Sequence, residues 1–425
     1  MKGIKYSIFI LLFSIFSLRI LIHWMPLLGY PLVSTACVLV EYVCLLYLLY
    51  SLVKSHSLFK IIKQYKLLYA LYLIYHAYLV YYIMINPLMS RSMMAHVPAD
   101  DSEMLRSVIV TGLIIPVVIN YQRYFNFELF AKVSTLFISS LLLVYCMNSD
   151  MSLYIFQKTL SGIEFEEFSF TDYKMIDGLT MSVFCSMAFL FNFVARNTWS
   201  KRKLFNRIIF FSLSAFLLFL LFVFSQRGPV LWMMVTLLFY LYTQNKLTKV
   251  IVFFIAIIAI VVFSFEDQLK ELLSQTDYSL IDRFMDIRED EGSGRYGSNV
   301  SEYNLAIKQI MGEPFFGTYF RTLSSYRLGH YAHNFILELL MTFGIVFTIL
   351  FLLVFWRAVK KSYISCKRNL PNMVFCLIFI NVYACHLTSY SFAFDYNMWI
   401  LLAMVLCYDE EMRNVKTLSE SFRDE

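Results

Sequence analysis

From Glu266 to Asn334 the chain reads EDQLKELLSQTDYSLIDRFMDIREDEGSGRYGSNVSEYNLAIKQIMGEPFFGTYFRTLSSYRLGHYAHN. It carries 11 acidic and seven basic side chains, among them Glu289, Asp290, Glu291, Arg283, Arg288, Arg295, Arg321 and Arg327. It is the one long polar insertion in a chain that is otherwise a series of apolar runs. His333-Asn334-Phe335-Ile336-Leu337-Glu338 closes it and opens an apolar helix, so a span meets water there. Everything else follows from what surrounds this stretch.

Hydrophobic residues make up 59% of the chain and charged ones 16%, against about 45–50% and 25% in soluble domains. Apolar runs of about 18 residues recur along it, the length that crosses a bilayer. The fold class is therefore all-α, a polytopic integral membrane protein. The net charge of +6 is then orientation code and not a nucleic-acid signal. The cysteines, Cys37, Cys44, Cys146, Cys185, Cys366, Cys376, Cys385 and Cys407, form no CxxC pair and read as small core residues. The first apolar run is long and lacks a small-residue cleavage site, so it reads as a span and not as a cleavable signal peptide.

Twelve spans are expected, at about 4–24, 30–53, 66–85, 104–120, 128–147, 177–195, 206–224, 229–243, 248–264, 333–356, 371–389 and 394–408. Basic residues alternate with them. Lys54, Lys60, Lys63 and Lys66, then Arg196, Lys201, Arg202, Lys203 and Arg207, then Arg357, Lys360, Lys361, Lys367 and Arg368 all fall on even-numbered connections. The positive-inside rule places these, and both termini, in the cytoplasm. The large loop between helices 9 and 10 then faces out. The chain divides into 1–264 (spans 1–9), 265–332 (the outer loop), 333–408 (spans 10–12) and a cytoplasmic tail, 409–425. Residues 148–176 place acidic side chains among Phe165, Phe168 and Phe170, a pattern for a piece lying on the membrane surface. Within the loop, Asn299 and Glu302 form a capping box, and Val300, Tyr303, Ile307, Ile310 and Met311 make a stripe ending at Gly312 and Pro314. That predicts an amphipathic helix over 300–311, apolar stripe down on the bundle.

Few residues carry chemistry. Arg227 sits in the outward turn Ser225-Gln226-Arg227-Gly228-Pro229, the wrong side for a cation under the orientation rule. It reads either as an arginine snorkelling to headgroups or as part of an anion site. The second reading gains from Pro229, which starts the next helix so that free amides and a positive dipole end stand beside the guanidinium. Arg288 and Arg295 are solvated loop cations or substrate contacts. His333, at a span's outer mouth, reads equally as a helix-start histidine bonded to backbone and as a catalytic group; His330 is the weaker of the two, and His386 can reach the same cavity. Arg19 and Glu41 are ionisable groups within spans, read first as a pair across the first two helices. No phosphate loop, nucleophile elbow or zinc-type spacing is present, so no metal or cofactor is expected.

Three features in order resemble the O-antigen ligase and polymerase superfamily of bacterial surface-polysaccharide assembly. They are the Arg227-Gly228 turn, an outer loop with Gly294-Arg295 ahead of a helix ending Glu313-Pro314-Phe315-Phe316-Gly317, and His333-Asn334-Phe335-Ile336-Leu337-Glu338 followed by Gly344. They span about residues 220–350. Where the family often has an aromatic, four residues after the loop arginine, this chain has Asn299. The resemblance implies a class C membrane fold and a metal-independent, inverting glycosyltransferase whose donor is a glycan on undecaprenyl diphosphate. His333, Arg227 and Arg295 would be catalytic; Gly228, Asn334, Glu338, Arg288 and His330 would contact substrate. The expected activity is polymerisation of lipid-linked repeat units into O-antigen or capsule at the outer face of the bacterial inner membrane, beside a flippase and a chain-length regulator. The rivals are a ligase transferring the glycan to lipid A core, which shares the donor, and a lipid-linked oligosaccharide flippase. A flippase calls for charge through both halves of the bundle, and here the charge is concentrated in one loop.

Overall fold

The computed structural model of the chain describes residues 2–27, 29–85, 101–147, 178–196, 198, 199, 202–223, 227–246, 302–317, 334–387 and 397–408. The expected ninth span, the surface piece at 148–176, most of the outer loop and the tail lie outside these residues. Among those described the protein is all-helical, with no strand. In chain order the helices are α1 (Lys2–Phe16), α2 (Arg19–Leu27), α3 (Pro31–Lys54), α4 (Leu58–Gln64), α5 (Lys66–Ile85), α6 (Asp101–Tyr121), α7 (Phe127–Cys146), α8 (Gly178–Ala195), α9 (Lys203–Val223), α10 (Arg227–Thr243), α11 (Glu302–Gly312), α12 (Phe335–Lys367), α13 (Met373–Cys385) and α14 (Asn397–Leu406).

Four of them, within α3, α7, α9 and α12, are long and apolar enough to cross a membrane. Their outer faces agree. On α3, Leu32, Leu39, Val43, Leu46 and Val53 are exposed; on α12, Ile345, Val346, Ile349, Leu350, Leu353 and Trp356 are exposed at helical spacing. In water such apolar stripes would be a liability; in a bilayer they are the expected outer face. These surfaces fit a membrane-embedded protein. The core between the helices is aromatic: Phe125, Phe130 and Phe375 lie within 5.8 Å of one another, centroid to centroid. Asn192 is one polar member of it with local partners. Asn192 donates to the carbonyl of Phe210 and to the Ser214 hydroxyl, and accepts from the Trp199 indole.

Two expected spans turn out to be broken. The first run is interrupted at Ser17–Leu18, between α1 and α2, where the Ser17 hydroxyl donates to that of Ser134 on α7 at 2.8 Å. Just beyond, Arg19 Nη2 lies 3.6 Å from Glu41 Oε1, and the Ser14 hydroxyl donates to the same carboxylate at 3.0 Å. The pairing read from the sequence is present.

The tenth run breaks more sharply. Gly344 has φ 73° and ψ −176° in the middle of α12. The rings of Phe335 and Phe355 are 5.8 Å apart, whereas twenty residues of straight helix would separate them by about 30 Å. The expected single span at 333–356 is therefore two pieces: a short arm, 335–343, folded back along a long helix, 345–367. Hydropathy could not reveal this, because both pieces are apolar.

One end of the bundle gathers the basic connections. The Arg196 guanidinium donates to the Tyr240 hydroxyl at 3.0 Å, Tyr240 donates on to Asn369, and Gln244 donates to the carbonyl of Cys366 at 2.7 Å. The Lys361 ammonium donates to the carbonyl of Leu406, a cation on a helix C-terminus. The ends of α8, α10, α12 and α14 thus meet. Gln244 beside Cys366 also makes α10 parallel to the long piece of α12. Arg227 therefore starts α10 toward the opposite end, the one that holds Gly344.

Candidate functional site

The site builds from the break at Gly344. A positive φ costs an L-residue about 1–2 kcal/mol, and glycine avoids that cost. Space requires glycine as well: a Cβ here would stand 2.1 Å from the carbonyl oxygen of Phe315. What occupies that space is the tail of the loop helix. Pro314 cannot continue α11, so the chain turns through Pro314-Phe315-Phe316 and lays its backbone in the notch. The amide of Ile345, freed by the break, donates to the carbonyl of Pro314 at 2.8 Å. Gly317 completes the lock at φ 67°, where a Cβ would meet the carbonyl carbon of Thr342 at 2.5 Å. Around it, Gln309 donates to the carbonyl of Met341 at 3.4 Å and Thr348 donates to that of Gly344 at 2.8 Å. The break's backbone groups find partners here that a helix interior would have given them.

α11 sits on α12 by a face that shares only part of the stripe its sequence pattern suggests: Ile310 packs against the core. Leu305, Ala306 and Gln309 are buried, while Ile307 and Met311, with Phe315 and Phe316 beyond, are exposed. The described part of the helix runs Glu302–Gly312; the expected cap, Asn299, lies outside the described residues. The physical reason is the medium. Small and polar residues let helices approach inside a membrane, and the most apolar stripe is left for the outside.

The start of the arm is fixed next. Asn334 has extended backbone (φ −149°, ψ 114°), and its Oδ1 accepts from the amides of Ile336 and Leu337 at 3.0 and 3.2 Å. This is a helix cap of about 1 kcal/mol. Its Nδ2 donates to the carbonyl of Leu387 at 3.3 Å, and the Phe335 amide donates to that of His386 at 2.8 Å. The side chain of Asn334 is thus committed to holding the arm against the end of α13. Glu338 is buried in the first turn, where the helix dipole favours its charge, and His386 is buried where the two segments meet. Because the arm is folded back, its first residue Phe335 lies beside Phe355, and Asn334 is about 15 Å along the arm from Gly344, at 1.5 Å per residue. It stands inside the bundle and not at its tip.

Among the sequence candidates, Asn334, Glu338 and His386 come together in this seam. Arg227 and Gly228 open α10, as Pro229 suggests. α10 packs against α12 and α13, so its start and the seam belong to one region. Arg288, Arg295, His330 and His333 lie outside the described residues; His333 precedes Asn334 by one residue. Sequence reasoning passed over Asn381, fully buried in α13, with neither amide atom hydrogen-bonded among the described residues. It also passed over His76, buried beneath Tyr72, Tyr75 and Trp399. A lone polar residue inside an apolar run was the only signal for either. Comparison with protein-family models and with curated proteins finds no match to this chain.

Proposed function

We propose that the chain is a membrane glycosyltransferase of about twelve spans. In this reading it polymerises undecaprenyl-diphosphate-linked repeat units into O-antigen or capsular polysaccharide at the outer face of the bacterial inner membrane. One observation supports it above the others: the loop tail Pro314–Gly317 is locked backbone to backbone into the break at Gly344. Two glycines at positive φ, Gly344 against the backbone of Phe315 and Gly317 against that of Thr342, over-determine the backbone, as functional sites do. They also tie the outer loop to the segment that carries His333.

The chemistry follows from the leaving group. An acceptor hydroxyl attacks the anomeric carbon opposite the diphosphate, the glycosidic bond forms as the C–O bond to phosphate breaks, and the configuration inverts. Negative charge grows on the diphosphate. Arg227 beside the first amides of α10, with Arg295 and Arg288 from the loop, stabilises that charge. His333 takes the hydroxyl proton, a task suited to imidazole near neutral pH. Asn334 holds the arm that presents His333, Glu338 sits one turn on, and His330 lies on the loop side. No metal is required by these steps.

The test is the ladder of surface polysaccharide in strains carrying His333→Ala or His330→Ala at matched membrane levels. His333→Ala removes the ladder and His330→Ala retains it. The reverse pattern would assign the proton acceptor to His330 and misplace the register of the whole seam. A single band on lipid A core in place of a ladder would favour the ligase.

A further inference from the structure

At the basic end of the bundle a cavity of about 210 Å³ opens between α4, the turn that follows α6, and the end of α14. Lys60, Gln64, Asn120, Gln122, Arg123 and Tyr408 line it. Two of these are cations and none is a carboxylate. Among the described residues neither Lys60 nor Arg123 lies within ion-pair distance of an acidic group; Arg123 rests over the Tyr124 ring at 5.1 Å. Gln122 is 3% exposed, and neither its amide nitrogen nor its amide oxygen has a hydrogen-bond partner among the described residues. A buried amide left unsatisfied is costly, so this one awaits a partner whose oxygens accept from Nε2 and whose hydroxyl donates to Oε1, as a glycerol headgroup or a protonated phosphate supplies. Amides and guanidinium beside an ammonium form the donor set that recognises phosphate oxygens. The volume is many times what one water needs.

We propose that this cavity binds a phosphate group, presented by an anionic phospholipid or by a soluble phosphate. The rim speaks for the lipid: α4 exposes Phe59 and Ile62 alongside Lys60 and Lys63, the composition of a helix lying at a membrane interface. The site is separate from the Gly344 seam and does not depend on the reaction assigned there.

The experiment uses purified full-length protein stripped of lipid in detergent. Phosphatidylglycerol and phosphatidylcholine of matched acyl chains are titrated and bound lipid is read by native mass spectrometry, with inorganic phosphate as competitor. Wild-type protein should hold one phosphatidylglycerol about 25-fold more tightly than phosphatidylcholine, and the double substitution K60Q/R123Q should erase that preference, at about fivefold per cation. Gln122→Leu should weaken phosphatidylglycerol retention yet raise the thermal midpoint of the lipid-free protein, which a purely structural glutamine would not do. Displacement by millimolar inorganic phosphate assigns the site to a soluble anion; resistance to it assigns the site to the lipid. Equal retention of the two lipids by wild-type protein, or unchanged retention in K60Q/R123Q, overturns the proposal.

Discussion

The two ends of this bundle are built on different principles. At the basic end, Arg196 lies over the Phe193 ring at 4.3 Å and bonds the Tyr240 hydroxyl, Lys361 meets the last carbonyls of α14, and Gln244 reaches Cys366. Each of these is a flexible side chain closing an ordinary helix end, and each is replaceable. At the Gly344 end the contacts are backbone on backbone: Phe315 against Gly344, Gly317 against Thr342, Ile345 against Pro314. Side chains adjust to a substitution; interlocked backbones cannot. Orientation in a membrane asks only for the first kind of end. The second kind spends local stability on a fixed geometry, and fixed geometry is what positioning a reactive group requires.

That contrast can be broken by substitution. Gly344→Ala has the largest expected effect. Its Cβ overlaps the Phe315 carbonyl and its backbone is strained, a cost of at least ~3 kcal/mol that docking of α11 has to absorb. Polymer should vanish at normal membrane levels, and trypsin should cleave after the exposed Lys308 faster than in wild type. A normal ladder from Gly344→Ala would mean the lock is ornamental. Arg227→Lys comes next. The charge remains but lysine lacks the guanidinium fork, so under the proposed role of Arg227 the rate should fall by about 10²–10³, read as transfer per enzyme in isolated membranes. Full activity would return Arg227 to the role of a snorkelling cation. The smallest effect is expected at the other end. Arg196→Gln removes a cation–π contact of about 0.5–1 kcal/mol and keeps a donor for Tyr240, so the thermal midpoint should drop by a few degrees at most with the ladder intact. Loss of polymer in that variant would erase the distinction between the ends.

The apolar runs were legible because bilayer thickness imposes one length on them. Helices matching α3, α5, α6, α7, α8, α9 and α10 lie within a few residues of their sequence readings. The gathering of basic connections was legible too, since charge alternation is written in residue types. The breaks were not. Ser17-Leu18 carries no proline or glycine, and Gly344 is one glycine in an apolar run, where hydropathy is blind to the sign of φ. The docked face of α11 was misread for a related reason. The stripe Val300, Tyr303, Ile307, Ile310 and Met311 would be core in water, but beside a membrane the most buried residues are Leu305, Ala306 and Gln309, with Ile310 partly buried beside them. In the site, Pro314 with Gly317 and, 27 to 30 residues on, Gly344 were visible as two separate marks. Only the folded backbone shows that they are one joint.

The most direct measurement is polymerisation by the purified protein. The full chain is reconstituted in liposomes with the undecaprenyl-diphosphate-linked repeat unit isolated from its own strain, in excess chelator. A ladder of polymer should grow with one undecaprenyl diphosphate released per new glycosidic bond, and Gly344→Ala protein should yield neither. Movement of the lipid-linked glycan between leaflets with no bond formed, or a ladder that stops when divalent cations are removed, would contradict the account.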